Sequence, residues 1–552
     1  MRKYLLVALV FSLALAVHAD FVQGLRQVNN VLKQVVPPEE QAQTQQEQQP
    51  AAETVKKPKY IFFFIGDGMG INQVQMGVDY KAQTTGGKEE LNMQKFPIMG
   101  ANRTYCANAF VTDSSASGTA LATGHKTNYG VAGIDVNGDA IDSIAVYCHN
   151  RGMKVGIVAT VTLMEATPGA FFMHQGYRGR YYPGTFDLVD SGFEYFAGGD
   201  LWDKDGIDFN EAVTNKLPEK TWQEATNVLS RGVVSCLLDK DGKPVIKWKN
   251  AEEIIKENGY KYVDTEAEFN ALQPGCGKVY VSHPCKAWGI PYRVGYKEGP
   301  FLKDFVRKGI ELLDNEYGFF MMCEGSFIDH GGHSNDAPKT LYELLDFDDA
   351  IGVALEFYNQ HPDETLIVVT ADHETGALSY GYVGDRIQDM KGAKCEFGEF
   401  KNKFKEYRDK VRECKENHSA QLKGDFSEAY ALIKKWYGDI HLSQGKKDRL
   451  KKAFEASMDP NYNKDDPLNQ ALYEGHDPFC FVAQRELNAH FGAKYNTGGH
   501  SAAPTPVFAI GVGAEMFGGF KENTNNAISM EKLVDPNGEI PSKPYKKPYV
   551  HY

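Results

Sequence analysis

The chain has 552 residues, 42% of them hydrophobic, and a formal net charge of −13. That length and apolar content are enough for a large buried core, so the chain reads as globular. An acidic excess of this size argues against a nucleic-acid surface, which needs basic patches to meet the phosphate backbone.

The chain starts Met1-Arg2-Lys3, continues with an apolar run over residues 4–17 and then reads His18-Ala19-Asp20. A basic start, a short apolar stretch and a small residue at the cut predict a secretory signal peptide over 1–19, cleaved after Ala19. The mature protein is therefore expected to be exported, either periplasmic or secreted. No other segment has the roughly 20 continuous apolar residues of a membrane span. The first cysteine is Cys106, so no stable membrane anchor is expected after cleavage. Nine cysteines are sparse and odd in number; Cys276 with Cys285 and Cys395 with Cys414 are close in sequence, but spacing does not fix pairing and none is assigned.

Residues 20–58 form an N-terminal segment that becomes rich in Gln, Glu, Pro and Ala from 37 onward, the composition of a solvated linker. One catalytic domain is expected over 59–552. Apolar runs at 60–65, 154–160, 318–323, 365–370 and 506–513 read as buried strands, with helical patterns such as 341–357 between them. Strands alternating with helices predict a three-layer α/β/α sandwich around a mostly parallel central sheet. Two stretches break the rhythm and read as insertions of helical or irregular structure: 203–294, with short charged segments, and 384–480, dense in Lys, Glu and Asp. The second separates His500 from Asp372-His373, so it must leave and return to the same sheet edge. A lid, a subunit contact and a solvated decoration all fit it.

Asp67, Glu324, Asp329, His333, Asp372, His373 and His500 occupy glycine-rich or turn-like segments, most of them directly behind an apolar run. Ligands of parallel α/β sheets bind at the carboxyl ends of the strands, so these groups can converge from distant positions. A multi-metal site is expected: Asp with His favours zinc, and an all-oxygen set favours magnesium. The small-residue segment 110–124 suits a helix packed closely on the sheet, with Asp113 and Ser114 at its start. A hydroxyl there sits among amide donors that favour developing negative charge. By local pattern alone, an ordinary N-cap explains the same pair better than a nucleophile does.

Taken together, Ile65-Gly66-Asp67-Gly68-Met69-Gly70, Val111-Thr112-Asp113-Ser114-Ser115-Ala116, Glu324-Gly325 with Ile328-Asp329-His330 and His333, Thr370-Ala371-Asp372-His373-Glu374-Thr375-Gly376, and Gly498-Gly499-His500 closely resemble the alkaline phosphatases, in the family's order across 59–513. The resemblance implies hydrolysis of small-molecule phosphate monoesters at two zinc ions and one magnesium ion. It implies that Asp329, His333 and His500 hold one zinc, that Asp67, Asp372 and His373 hold the other, and that Asp67, Thr167 and Glu324 hold the magnesium. Ser114 becomes the phosphate-accepting nucleophile and Arg178 the residue that grips phosphate, with Asp113 and His330 also on the substrate side. A homodimer is implied as well. Glu165 and His330 depart from the residues common at their positions, next to the third metal and the phosphate. Among competing readings, a sulfatase needs Pro and Arg two and four places after the nucleophile, where Ala116 and Gly118 stand. A phosphodiesterase of the same superfamily fits the same geometry, and a non-catalytic metal or phosphate binder has no use for Ser114.

Overall fold

A continuous apolar stretch such as Tyr60–Gly66 is stable as a strand only with partners on both edges and cover on both faces. The computed structural model describes residues 56–207, 231–238, 240, 244–381, 386–417 and 422–538, and in it this strand, β1, is buried along its whole length. The expected signal peptide and nearly all of the expected linker lie outside the described residues. The strands of the main sheet, in chain order, are β1, β2 (Ile98–Arg103), β3 (Lys154–Ala159), β4 (Tyr195–Gly198), β5 (Tyr260–Val263), β6 (Lys278–Ser282), β7 (Phe319–Gly325), β8 (Thr365–Thr370), β9 (Thr505–Gly511) and β10 (Gly519–Glu522). They lie side by side in the order β10-β2-β9-β8-β1-β7-β3-β4-β6-β5. Only β9 runs against its neighbours, pairing antiparallel with β8 and β2.

Successive side chains of a strand point to opposite faces, and β1 shows what each face meets. Phe62 and Phe64 pack on Phe357 and Phe347 of the long helix Ala337–Gln360, with ring centroids 5.7 and 5.9 Å apart. Phe63 points the other way, to Phe171 at 6.1 Å. Helices therefore cover both faces of a mostly parallel sheet, the three-layer arrangement expected. The long helix starts where its sequence says it should: Asp336 caps it by accepting from the Lys339 amide, and Pro338 sits in the first turn, where a missing N–H costs nothing.

Part of the 203–294 stretch lies inside the sheet: its residues 260–263 and 278–282 are β5 and β6, which extend the sheet beyond β4. These strands are four and five residues long and carry Lys261 and Lys278, so neither presents an unbroken apolar run. The other stretch is a helical excursion. It leaves and returns through two short antiparallel ladders, Ser379–Tyr380 with Ala493–Lys494 and Glu374–Thr375 with His500–Ser501. Between them the helices Phe397–Glu416, Phe426–Tyr437, Gln444–Met458 and Pro478–Phe491 gather their own aromatic core, including Phe400, Phe404, Tyr437, Phe454 and Phe479. Asp336 ties this core to the main body by accepting from the Phe397 amide at 2.6 Å. The eight cysteines whose side chains are described are unbridged. No helix among the described residues is long and apolar enough to cross a membrane.

Candidate metal and phosphate site

Four adjacent parallel strands, β8, β1, β7 and β3, end at one edge of the sheet. Asp67 follows β1, Glu324 is the penultimate residue of β7, and Asp372 and His373 follow β8. Asp329 and His333 stand one helical turn apart on the short helix Phe327–His333, directly behind β7. Thr167 comes from the loop after β3, in the short helix Ala166–Gly169. His500 arrives from the far side of the helical excursion, its strand paired to Thr375. The loop after β1 makes a close approach possible: Gly68 has φ +72°, and a Cβ on it would lie 2.6 Å from the Asp329 Cα. Only glycine lets these two loops meet.

The imidazoles and carboxylates form one continuous cluster. His373 Nε2 lies 3.1 Å from Asp372 Oδ2 and 3.5 Å from Asp67 Oδ1. His333 Nε2 lies 3.1 Å from Asp329 Oδ2 and 3.2 Å from His500 Nε2, and His500 Nε2 is 3.7 Å from Asp329 Oδ1. The His373 and His500 rings stack with centroids 3.6 Å apart. Two three-ligand groupings have atoms close enough for a single ion: Asp67 with Asp372 and His373, and Asp329 with His373 and His500. The first is the set expected for one zinc. In the second, His373 joins where His333 was expected, with His333 at the exposed margin of the same cluster.

The donor chemistry fits cations. Asp67 Oδ1, Asp372 Oδ2, Glu324 Oε2 and Thr167 Oγ1 are buried and make no hydrogen bond of standard geometry within the protein. Orphaned buried oxygens are costly unless something positive meets them. Burial, reinforced by the neighbouring carboxylates, pushes the Asp67 carboxyl well up and that of Asp372 to about 7. Burial likewise raises Glu324 to about 8. Burial would raise Asp329 too, but the His333 hydrogen bond and the imidazoles of His373 and His500 outweigh it and hold this carboxylate ionised. Burial, with His500 beside it, keeps His373 neutral, the form that can act as a ligand.

Ser114 begins the helix Ser114–Thr123 and is buried, with its Oγ 3.1 Å from His373 Nε2. Asp113 does cap that helix, but it has a second duty. Its carboxylate accepts from the amides of Ser115, Ala116 and Gly130 and from Arg178 Nη1 at 3.2 Å. With four donors on it, Asp113 anchors Arg178 instead of presenting a free carboxylate to a ligand. Glu165 holds the other end of the guanidinium, 3.5 Å from Arg178 Nη2, and accepts from the Tyr181 hydroxyl at 2.7 Å. Burial works against the Arg178 charge, but Glu165, Asp113 and Asp67 outweigh it, so the guanidinium stays protonated. His330, expected on the substrate side, lies against the Trp288 and Phe327 rings at 5.2 and 5.3 Å, and burial lowers its pKa to about 4.

Two further groups position the cluster, with little local sequence pattern to mark them. Thr375 Oγ1 donates to Asp329 Oδ1 and lies 3.2 Å from His373 Nδ1, so one hydroxyl sets two side chains of the cluster. The Thr112 carbonyl fixes His500 through Nδ1 at 2.8 Å. Thr375 stands two places after His373, and that spacing was the available signal.

Comparison with known proteins gives a consistent picture. The profile of the family described as alkaline phosphatase matches residues 58–192 and 238–535. Alkaline phosphatase 4 of Drosophila melanogaster is 29% identical over 394 residues, 65% of this chain and 61% of that protein. This chain thus spans about three fifths of the fly relative's length. Alkaline phosphatase 4 of Bacillus subtilis is 27% identical over 491 residues, 86% of this chain and 88% of the relative. Among solved structures, a cold-active alkaline phosphatase from Shewanella shares the fold, with a TM-score of 0.63 at 24% identity, covering 86% of this chain and 99% of that one.

Proposed function

Because the chain belongs to the alkaline phosphatase family, we propose that it hydrolyses phosphate monoesters to an alcohol and inorganic phosphate, with Ser114 as nucleophile. The observation that carries this reading is the buried Ser114 hydroxyl at a helix start, facing a cluster of carboxylates and imidazoles on one side, with Arg178 held by Asp113 on the other. On this reading Asp329, His333 and His500 hold one zinc, Asp67, Asp372 and His373 a second, and Asp67, Thr167 and Glu324 a magnesium. When bound, such ions supply positive charge that ionises a nearby hydroxyl and neutralises a departing oxygen.

The chain's own groups do the rest. Arg178 is a planar fork with fixed donors, and Asp113 and Glu165 hold it so that its free edge can take two phosphate oxygens at once. Ser114 Oγ attacks phosphorus in line with the ester oxygen, the P–O bond to the alcohol breaks, and phosphate remains on Ser114. Amides at the helix start face the negative charge that builds on the phosphoryl oxygens. Water attacks the phosphoserine from the side the alcohol vacated, which frees inorganic phosphate and returns the Ser114 hydroxyl. Residues 1–19 carry the accompanying reading that this chemistry takes place outside the cytoplasm.

The test compares p-nitrophenyl phosphate with bis(p-nitrophenyl) phosphate as substrates of the zinc- and magnesium-loaded protein. The monoester is expected to turn over with the higher kcat/KM; diester preference, or no hydrolysis of either, overturns the proposal. Arg178→Lys tests the guanidinium separately. A lysine keeps the charge but loses the two-pronged geometry, so kcat/KM for the monoester is expected to fall by about one to two orders of magnitude. An unchanged value in steady-state kinetics contradicts the role given to Arg178.

A further inference from the structure

Beside the cluster, the helical excursion and the main body border a half-open cavity of about 710 Å³. That is the size of a small-molecule site. One part of its wall is His333 with Ser334 and Asn335, so it abuts the site at the candidate ligand nearest to solvent. The rest of its charged wall comes from the excursion and its returning strand. Lys401 projects from the helix Phe397–Glu416, Lys446 and Arg449 from Gln444–Met458, Arg485 from Pro478–Phe491 and Lys494 from the strand Ala493–Lys494.

Among the described residues, two acidic side chains, Glu474 and Glu486, line the same space. Glu486 is taken up by Arg449 and by Lys446 at 3.9 Å, and Glu474 by Arg485 at 2.9 Å. Basic groups outnumber acidic ones in this cavity, in a chain whose net charge is −13. Among the described residues Lys401, which lines the cavity, makes no ion pair. A concave wall with an excess of one sign concentrates ligands of the opposite sign.

We propose that this cavity receives the leaving group, and that the preferred substrates are small phosphomonoesters whose alcohol portion carries a further phosphate. The inference rests on the reading of the Ser114 site as a monoester hydrolase and names the substrate class for it. One phosphate sits between Ser114 and Arg178 while the second lies among the cavity's lysines and arginines.

The experiment uses the full-length, zinc- and magnesium-loaded protein with glucose 6-phosphate, glucose 1,6-bisphosphate and p-nitrophenyl phosphate, at low and high sodium chloride. The wild type is expected to show a KM for the bisphosphate about tenfold below that for the monophosphate at low salt, narrowing at high salt. Lys401→Glu is expected to raise the KM for the bisphosphate to that of the monophosphate while the KM for glucose 6-phosphate changes little, and Lys401→Arg to retain the difference. Equal KM values for the two sugars in the wild type overturn the proposal, and so does a charge-reversed variant that slows all three esters alike. Calorimetry of the loaded Ser114→Ala protein reads binding without turnover. Bisphosphate binding that is tighter than monophosphate binding and lost in the charge-reversed background supports the cavity even when the wild type hydrolyses nothing, in which case the hydrolase reading is the one that fails.

Discussion

Zinc- and magnesium-loaded Ser114→Ala is expected to hydrolyse p-nitrophenyl phosphate at least about a thousandfold more slowly than the wild type, as follows from deleting a nucleophile that works within a set of groups. The hydroxyl is buried, and its hydrogen bond is to His373. Removing one oxygen there leaves Arg178 on Asp113 and Glu165, and leaves every carboxylate and imidazole of the cluster in place. Phosphate binding should therefore survive while the covalent step disappears. Two measurements separate these effects: inorganic phosphate should still inhibit residual turnover with a similar inhibition constant, and acid quenching with labelled substrate should trap phosphoserine in the wild type only. Activity within tenfold of wild type would remove Ser114 from the mechanism.

Chelation is expected to have an equally large effect, and on stability as well as on rate. Without a cation, Asp67, Asp372 and Glu324 confront one another in a buried pocket with oxygens that no protein donor satisfies. An ion that binds only the folded chain stabilises it by mass action, about 4 kcal/mol at a thousandfold excess over its Kd. Treatment with EDTA is expected to bring monoester turnover to background and to lower the midpoint of thermal unfolding, with zinc plus magnesium restoring both. A chelated protein that unfolds at the same temperature as the loaded one would show that these oxygens do not hold cations. Restoration of stability without restoration of turnover would instead locate the fault at Ser114 or Arg178.

What the sequence revealed, and what it did not, has a physical pattern. β1, β3, β7, β8 and β9 were legible because a strand buried on both faces leaves an unbroken apolar run. β5 and β6 were not, since short strands far from the sheet centre carry lysines and blend with the charged segments around them. The acidic and imidazole residues could be picked out because they directly follow such runs and sit among glycines. Local pattern offers only a cap or a ligand contact for Asp113, because the four donors on it come from three separate segments that no such pattern connects. The cationic cavity was beyond reach for the same reason. Its five bases come from three helices and a strand, and composition along 384–480 shows lysine and glutamate in plenty without telling which faces meet.

The reversal of β9 has a consequence for how this centre can vary. Most of the cluster's acidic and imidazole residues come just after a strand that runs toward the reactive edge, whereas His500 comes just before one that runs away from it, and only a backward strand can deliver an upstream residue to that rim. The polypeptide between Thr375 and His500 is thus pinned at both ends by hydrogen-bonded backbone, at a doorway a few ångströms from the chemistry. Whatever is spliced in beyond that doorway can lengthen, shrink or change charge without tugging on His500. His333 does feel the excursion, because Gln484 donates to the Ser334 and Asn335 carbonyls beside it, so the two imidazoles answer differently to change in that stretch.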